Sequence, residues 1–115
     1  MTDRPAVKQQ YLQAVTRAGV YAIRNTVTGR ALVDGSANVQ GALNRQRFEL
    51  RQGTYLNGLL SREWSLYGES SFTFEVLDVV KPSEDAAFDR ARELGDLVAL
   101  WRDEIPCHGE AGYEE

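Results

Sequence analysis

The residues able to do chemistry in this chain fall mostly between Tyr21 and Arg51. Tyr21 places a phenol in the short apolar run Gly19-Val20-Tyr21-Ala22-Ile23. Such a hydroxyl could serve a reacting group. The plainer reading is a strand aromatic whose ring packs while its hydroxyl reaches water. Arg24, Arg45, Arg47 and Arg51 carry guanidinium groups suited to phosphate oxygens. Arg47 and Arg51 stand one helical turn apart with Asn44 on an exposed face, and a solvated face is the simpler role for them. Asp34 and Glu75 are carboxylates that could hold a metal. Cys107 and His108 are adjacent, lack further ligands at zinc spacing, and as sequence neighbours do not present a nucleophile to a base. Tyr55, Trp64 and Tyr67 could stack on bases, but their helical spacing assigns them first to a core.

The elements that must position these groups belong to one modest domain. A chain of 115 residues, 43% hydrophobic and 26% charged, can bury a real core and has an ordinary globular composition. No apolar run is long enough to span a bilayer. The polar start MTDRPAVKQQ reads as no secretory leader, and one cysteine fits a reducing cytoplasm. Charge is unevenly spread. Residues 1–65 carry nine Lys/Arg against four Asp/Glu, and residues 66–115 carry four against thirteen, so halves of +5 and −9 make the net −4. The basic half could face nucleic acid; a solvated Arg-rich face neutralised by the acidic half is the alternative.

Taken in order, residues 5–17 read as a short helix with Val7, Tyr11, Leu12 and Val15 on one face, an extension over 1–18 ahead of a domain over 19–115. Gly19 to Arg24 alternates, with Val20, Ala22 and the Arg24 stem on one side and Tyr21 and Ile23 on the other. A turn over Asn25–Gly29 and a second strand over Arg30–Val33 complete a hairpin, broken at Asp34-Gly35-Ser36. Ser36 or Asn38 caps a helix to Gln52 that carries Val39, Ala42, Leu43 and Leu50, and Gly53 closes it. A second helix starts at Tyr55 with Thr54 as its cap and bears the stripe Leu56, Leu59, Leu60, Trp64, Tyr67. Phe72–Val80 reads as a central strand with Phe72, Phe74, Val76 and Asp78 on one side, and Thr73, Glu75, Leu77 and Val79 on the other. Ser83 opens a final helix to Glu104 whose stripe is Ala87, Phe88, Ala91, Leu94, Val98 and Trp101. The expected class is α+β, a three-stranded antiparallel sheet flanked by helices.

Gly19-Val20-Tyr21, with Leu32-Val33-Asp34 thirteen residues on and the run through Asn44-Arg45-Gln46-Arg47-Phe48, resembles the GIY-YIG nuclease superfamily, in particular its small bacterial members. Trp64-Ser65-Leu66-Tyr67-Gly68 before the third strand extends the likeness, which covers Gly19 to Tyr113. The resemblance implies in-line phosphodiester hydrolysis with one divalent metal, a hydrogen-bonded tyrosine, an arginine on the first helix and a glutamate on the last. Here only Tyr21 is retained. Leu32 stands at the second tyrosine, Asp34 at the second glycine, Ala42 at the arginine, Gln46 at a frequent histidine and Val98 at the glutamate.

Loss of one transition-state donor costs on the order of 10²–10³ in rate. The expectation is therefore a degenerate site with no metal or cofactor, acting as a non-cleaving module for nucleic acid or a protein partner through Arg24, Arg45, Arg47 and Arg51. The alternative is a divergent DNA endonuclease using Mg or Mn, with Arg45 or Arg24 supplying charge and Asp34 or Glu75 holding the metal.

Overall fold

A computed structural model of the chain describes residues 17–113 apart from Leu56, Pro82 and Glu84. The helix expected over 5–17 lies outside the described residues. Three antiparallel strands, β1 (Gly19–Asn25), β2 (Ala31–Ser36) and β3 (Phe72–Val79), pair in the order β2-β1-β3. Three helices, α1 (Val39–Gln52), α2 (Gly58–Tyr67) and α3 (Arg90–Glu104), complete the α+β domain. β1 is thus the central strand. β3, expected at the centre, is an edge, and several of its residues are exposed.

The alternation of β1 divides the core in two. Tyr21 and Ile23 join Val39, Ala42, Leu43, Leu50, Leu60 and Phe72 on the face covered by α1 and α2. Val20 and Ala22 join Ala31, Val33, Ile105 and Cys107 on the opposite face, where Leu94, Leu97, Val98 and Trp101 of α3 pack. Both faces are apolar because both are covered by helices. No helix among the described residues is long and apolar enough to cross a membrane.

Several boundaries differ from the sequence reading, each for a local reason. β2 does not break at Asp34-Gly35-Ser36 but continues, pairing Ser36 with Gly19. Gly35 serves close packing there, since a Cβ would meet Val98 Cγ2 at 2.5 Å and Leu94 Cδ1 at 3.1 Å. Asn38 is the N-cap of α1, accepting from Gly41 N at 3.0 Å. Gly53 at φ 75° closes that helix, and Thr54 N donates to Glu49 O at 2.9 Å. That closure spends Thr54 on α1. α2 therefore begins later than expected, capped by Asn57 Oδ1, which accepts from Leu60 N at 3.0 Å.

α3 also begins later than expected. Ser83 Oγ accepts from Asp85 N at 3.1 Å, and Asp85 Oδ1 accepts from Ala87 N at 2.9 Å. These side-chain turns compete with helix, leaving Asp89 as the cap. Ala87 and Ala91 are exposed, and Leu97 takes a place in the buried stripe. In β3 a register shift between the pairs Tyr21–Val76 and Val20–Asp78 leaves Leu77 as the extra residue. Asp78 consequently turns to the α3 face, where Oδ2 accepts from Trp101 Nε1 at 3.2 Å, and Val79 returns to the face of Phe72.

A buried carboxylate ties the hairpin turn to the end of the described chain. Asn25 Oδ1 accepts from Val27 N at 2.9 Å, shaping the turn, while its Nδ2 donates to Glu63 Oε1 at 3.0 Å. Thr28 Oγ1 and the Tyr113 hydroxyl also donate to Glu63 Oε1, and Arg30 Nε lies 3.0 Å from Oε2. The Arg30 Nε–H is not aligned for a hydrogen bond, so that contact is charge attraction. Arg30 Nη1 donates to Glu110 O at 2.8 Å, and Tyr113 N to Ala31 O at 3.3 Å. Glu63→Ala should leave these partners stranded and lower unfolding free energy by about 3 kcal/mol in urea titration, with Glu63→Gln costing less because it keeps an acceptor.

Candidate functional site

Tyr21 projects from the middle of β1 toward α1, between Asp34 on β2 and Val76 on β3. Ala42, Gln46 and Glu49 follow one another at helical spacing along the α1 face above it, with Arg45 at their flank. The Gln46 amide nitrogen donates to the Tyr21 hydroxyl, and the Tyr55 hydroxyl donates to Gln46 Oε1. Tyr55 comes from the connection between α1 and α2, held in place by the cap at Asn57. Beside this chain of bonds lies an open hollow of about 290 Å³ lined by Arg45, Gln46, Glu49, Tyr55 and Asn57.

The hydroxyl of Tyr21 does not reach bulk water: the residue is 2% exposed and its oxygen is bonded to Gln46. Burial, and secondarily the charge of Asp34, push its pKa up to about 12, against a lowering pull from Gln46, Arg45 and Arg102. Tyr55 is pushed up as well, chiefly by burial and then by Tyr21, Glu49 and Asp34. Both phenols are therefore neutral donors or acceptors near neutral pH, and neither is a strong base there.

The positions implied by the family resemblance are not all brought together. Leu32 is partly buried against the Tyr21 cluster, and Ala42, 6% exposed, is part of that cluster's floor. Asp34 lies beside Tyr21 and accepts from Gly35 N at 2.8 Å and from Arg102 Nη2 at 3.3 Å. Val98 packs on the opposite face of the sheet, so the position aligned with a metal-holding glutamate is remote from Tyr21. From α3 it is Arg102 that reaches round the β2 edge, its Nε donating to Val33 O at 2.9 Å.

The residues present do not fit the divalent ion that the resemblance implies. Asp34 is engaged by Arg102, and no group of three or more His, Cys, Asp or Glu among the described residues is placed to share an ion.

The four arginines expected to form one binding surface are dispersed. Arg24 sits on the α3 side of β1, with Nε 2.9 Å from Glu75 Oε1. Arg47 lies over the Phe74 ring, 4.5 Å from its centroid. Arg51 donates through Nε to Glu69 Oε1 at 2.8 Å. Arg45 alone of the four lines the hollow. Trp64 packs on Phe72 and Phe74, as its spacing indicated, whereas Tyr67 is largely outside the core. Cys107 is buried and His108 exposed, so the two neighbours face different surroundings.

Asn57 and Arg102 were missed by sequence reasoning, and Tyr55 was weighed only for stacking or core packing, not as a partner of Gln46. A Gly53-Thr54 helix stop ahead of Tyr55 was the available signal that it belongs to a connection.

The sequence matches no family model and no curated protein. The fold, however, is similar to two solved structures. One is a point mutant of the catalytic domain of intron endonuclease I-TevI, at TM-score 0.66 and 18% identity over 86% of this chain and 93% of that one. The other is the catalytic domain of homing endonuclease I-TevI, at TM-score 0.63 and 20% identity over 84% and 95%. At such identity the likeness is one of fold, that of a GIY-YIG nuclease domain.

The tyrosine has a consequence for stability. An unfolded tyrosine titrates near 10, so between that pH and about 12 the folded chain binds more protons than the unfolded one. The stabilisation is complete below about pH 10 and is lost as pH rises through about 12. Denaturation midpoints measured across this window should fall with pH, and the slope should flatten in Tyr21→Phe; an unchanged slope would contradict the burial of this phenol.

Proposed function

We propose that this domain binds the phosphate backbone of nucleic acid on the α1 side of the sheet without cleaving it. The carrying observation is an open hollow that Arg45 lines beside Gln46, the residue that holds the buried Tyr21 hydroxyl, while the place of a charge-clamping arginine holds buried Ala42. Backbone contact needs a cation and donors. Hydrolysis needs in addition a nucleophile activator and stabilisation of developing charge. Val98 on the far face and Asp34 under Arg102 supply neither.

The second reading, a divergent endonuclease dependent on Mg²⁺ or Mn²⁺, takes its support from the shared nuclease-domain fold and from Tyr21 at the centre of the site. A supercoiled-plasmid nicking assay across both ions separates the two. The expected outcome is no metal-dependent nicking above background, and cleavage abolished by Tyr21→Phe would overturn the binding reading.

Binding itself is tested by salt titration of oligonucleotide affinity. Arg45→Ala should weaken binding and reduce the slope of log affinity against log salt by about 1. Arg24→Ala, whose side chain lies on the other face of the sheet, should leave the slope unchanged. Equal effects from the two substitutions would point to a diffuse surface instead of this hollow.

A further inference from the structure

We infer that the α1 hollow holds one unpaired guanine base, Glu49 accepting from its Watson–Crick edge while Arg45 contacts a phosphate of the same strand. This rests on the backbone-binding reading above and names its substrate class, a single-stranded nucleic acid. The hollow is open and lined by Arg45, Gln46, Glu49, Tyr55 and Asn57. Arg45 is exposed and the other four are half-buried, so a ligand can reach each of them. Three of the five turn their polar atoms inward. Gln46 is bonded to Tyr21 and to the Tyr55 hydroxyl, and Asn57 accepts from Leu60 N and donates to Tyr113 O. Arg45 and Glu49, one helical turn apart, make no side-chain hydrogen bond or ion pair among the described residues. They are the uncommitted donor and acceptor of the hollow.

Glu49 is the residue that a site for phosphate alone would lack. A carboxylate one turn from Arg45 repels phosphate oxygens, and it is satisfied by a ligand that brings N–H donors beside its own negative charge. A nucleic-acid strand brings both, phosphates along the backbone and donors on the base edges. Guanine matches a carboxylate best, because its N1–H and N2–H lie side by side and meet both oxygens at once. Adenine and cytosine set an acceptor nitrogen beside their amino group, and that nitrogen opposes a carboxylate. Pairing hides this edge in a duplex, whereas an unpaired base can be splayed out against an aromatic side chain. Tyr55 is the aromatic at the hollow, with its hydroxyl held by Gln46. The volume of about 290 Å³ lies at the lower end of the roughly 300–1,000 Å³ of small-molecule sites, which suits one base and not a stacked run.

The test is an anisotropy titration at low salt with oligothymidylate strands that carry one central guanine, hypoxanthine, adenine or cytosine. Hypoxanthine keeps N1–H and lacks the amino group at C2. The guanine strand should bind about tenfold more tightly than the other three. Glu49→Gln should weaken the guanine strand about tenfold and the others not at all, so that the preference collapses. Arg45→Ala should weaken all four by a similar factor. Glutamine keeps the size and helix propensity of glutamate, and denaturation checks that each variant is folded.

Equal binding of all four strands by the wild type, each weakened by Arg45→Ala, would overturn the base-reading inference and leave the backbone reading standing. Equal tightening of every strand in Glu49→Gln would mark Glu49 as a repelling surface charge and overturn the inference as well. A duplex that contains the guanine and binds as tightly as the single strand would overturn the need for an unpaired base. No binding of any strand at low salt would overturn the backbone reading and this inference together.

Discussion

The structure depends on one strand being paired on both edges and covered on both faces. β1 bonds to β2 and β3, and its residues from Gly19 to Ile23 are buried without exception. Alternation along it leaves no neutral position: each side chain enters either the α1–α2 layer or the α3 layer. The approach is close enough that Gly19 cannot be enlarged, since a Cβ there would meet Asp78 O at 2.4 Å. Tyr21 owes its environment to this arrangement. It lies in a layer roofed by α1, so its hydroxyl must find a partner from that helix, and Gln46 is the residue that meets it.

The fold turns several of the chain's guanidinium groups onto its own carboxylates. Arg24 with Glu75, Arg51 with Glu69, Arg102 with Asp34 and Arg30 with Glu63 all form ion pairs. Among the described residues of the basic half, Arg24 and Arg51 lie on different elements and meet carboxylates from the acidic half. The exposed pairs contribute little to stability, commonly about 0–1 kcal/mol each. Their larger effect is on direction: they leave Arg45 and Glu49 as the charges lining the α1 hollow.

The sheet, the faces of β1 and the apolar stripe of α1 were legible in the sequence because period-two and period-3.6 patterns are strong there. Val39, Ala42, Leu43 and Leu50 are buried as read. What failed depends on events that pattern does not encode. An extra residue at Leu77 reverses the faces of Asp78 and Val79, and no local signal in Phe72–Val80 announces it. Ser83 and Asp85 resemble helix caps in composition but spend their oxygens on turns. Strand order is a long-range property, so an apolar β3 read as central is an edge. At the site, Tyr21 and Gln46 were legible as positions, but their bond was not. Tyr55 was read as the first residue of a helix, and it lies in the connection ahead of that helix. Val98 was placed by resemblance along the chain, without knowledge of which face α3 would cover.

An amide side chain at residue 46 gives the site a fixed polarity. A histidine there would change charge near neutral pH. An amide does not titrate. Gln46 therefore presents the same donor to Tyr21 across the pH range in which the phenol stays protonated, which burial extends to about 12. Ala42 and Leu32 bring neither charge nor a mobile proton to this layer of the core, and Gln46 adds hydrogen bonds of fixed polarity. Such a layer holds its hydrogen bonds in one orientation, with the oxygen and the nitrogen of the Gln46 amide each committed to a different tyrosine.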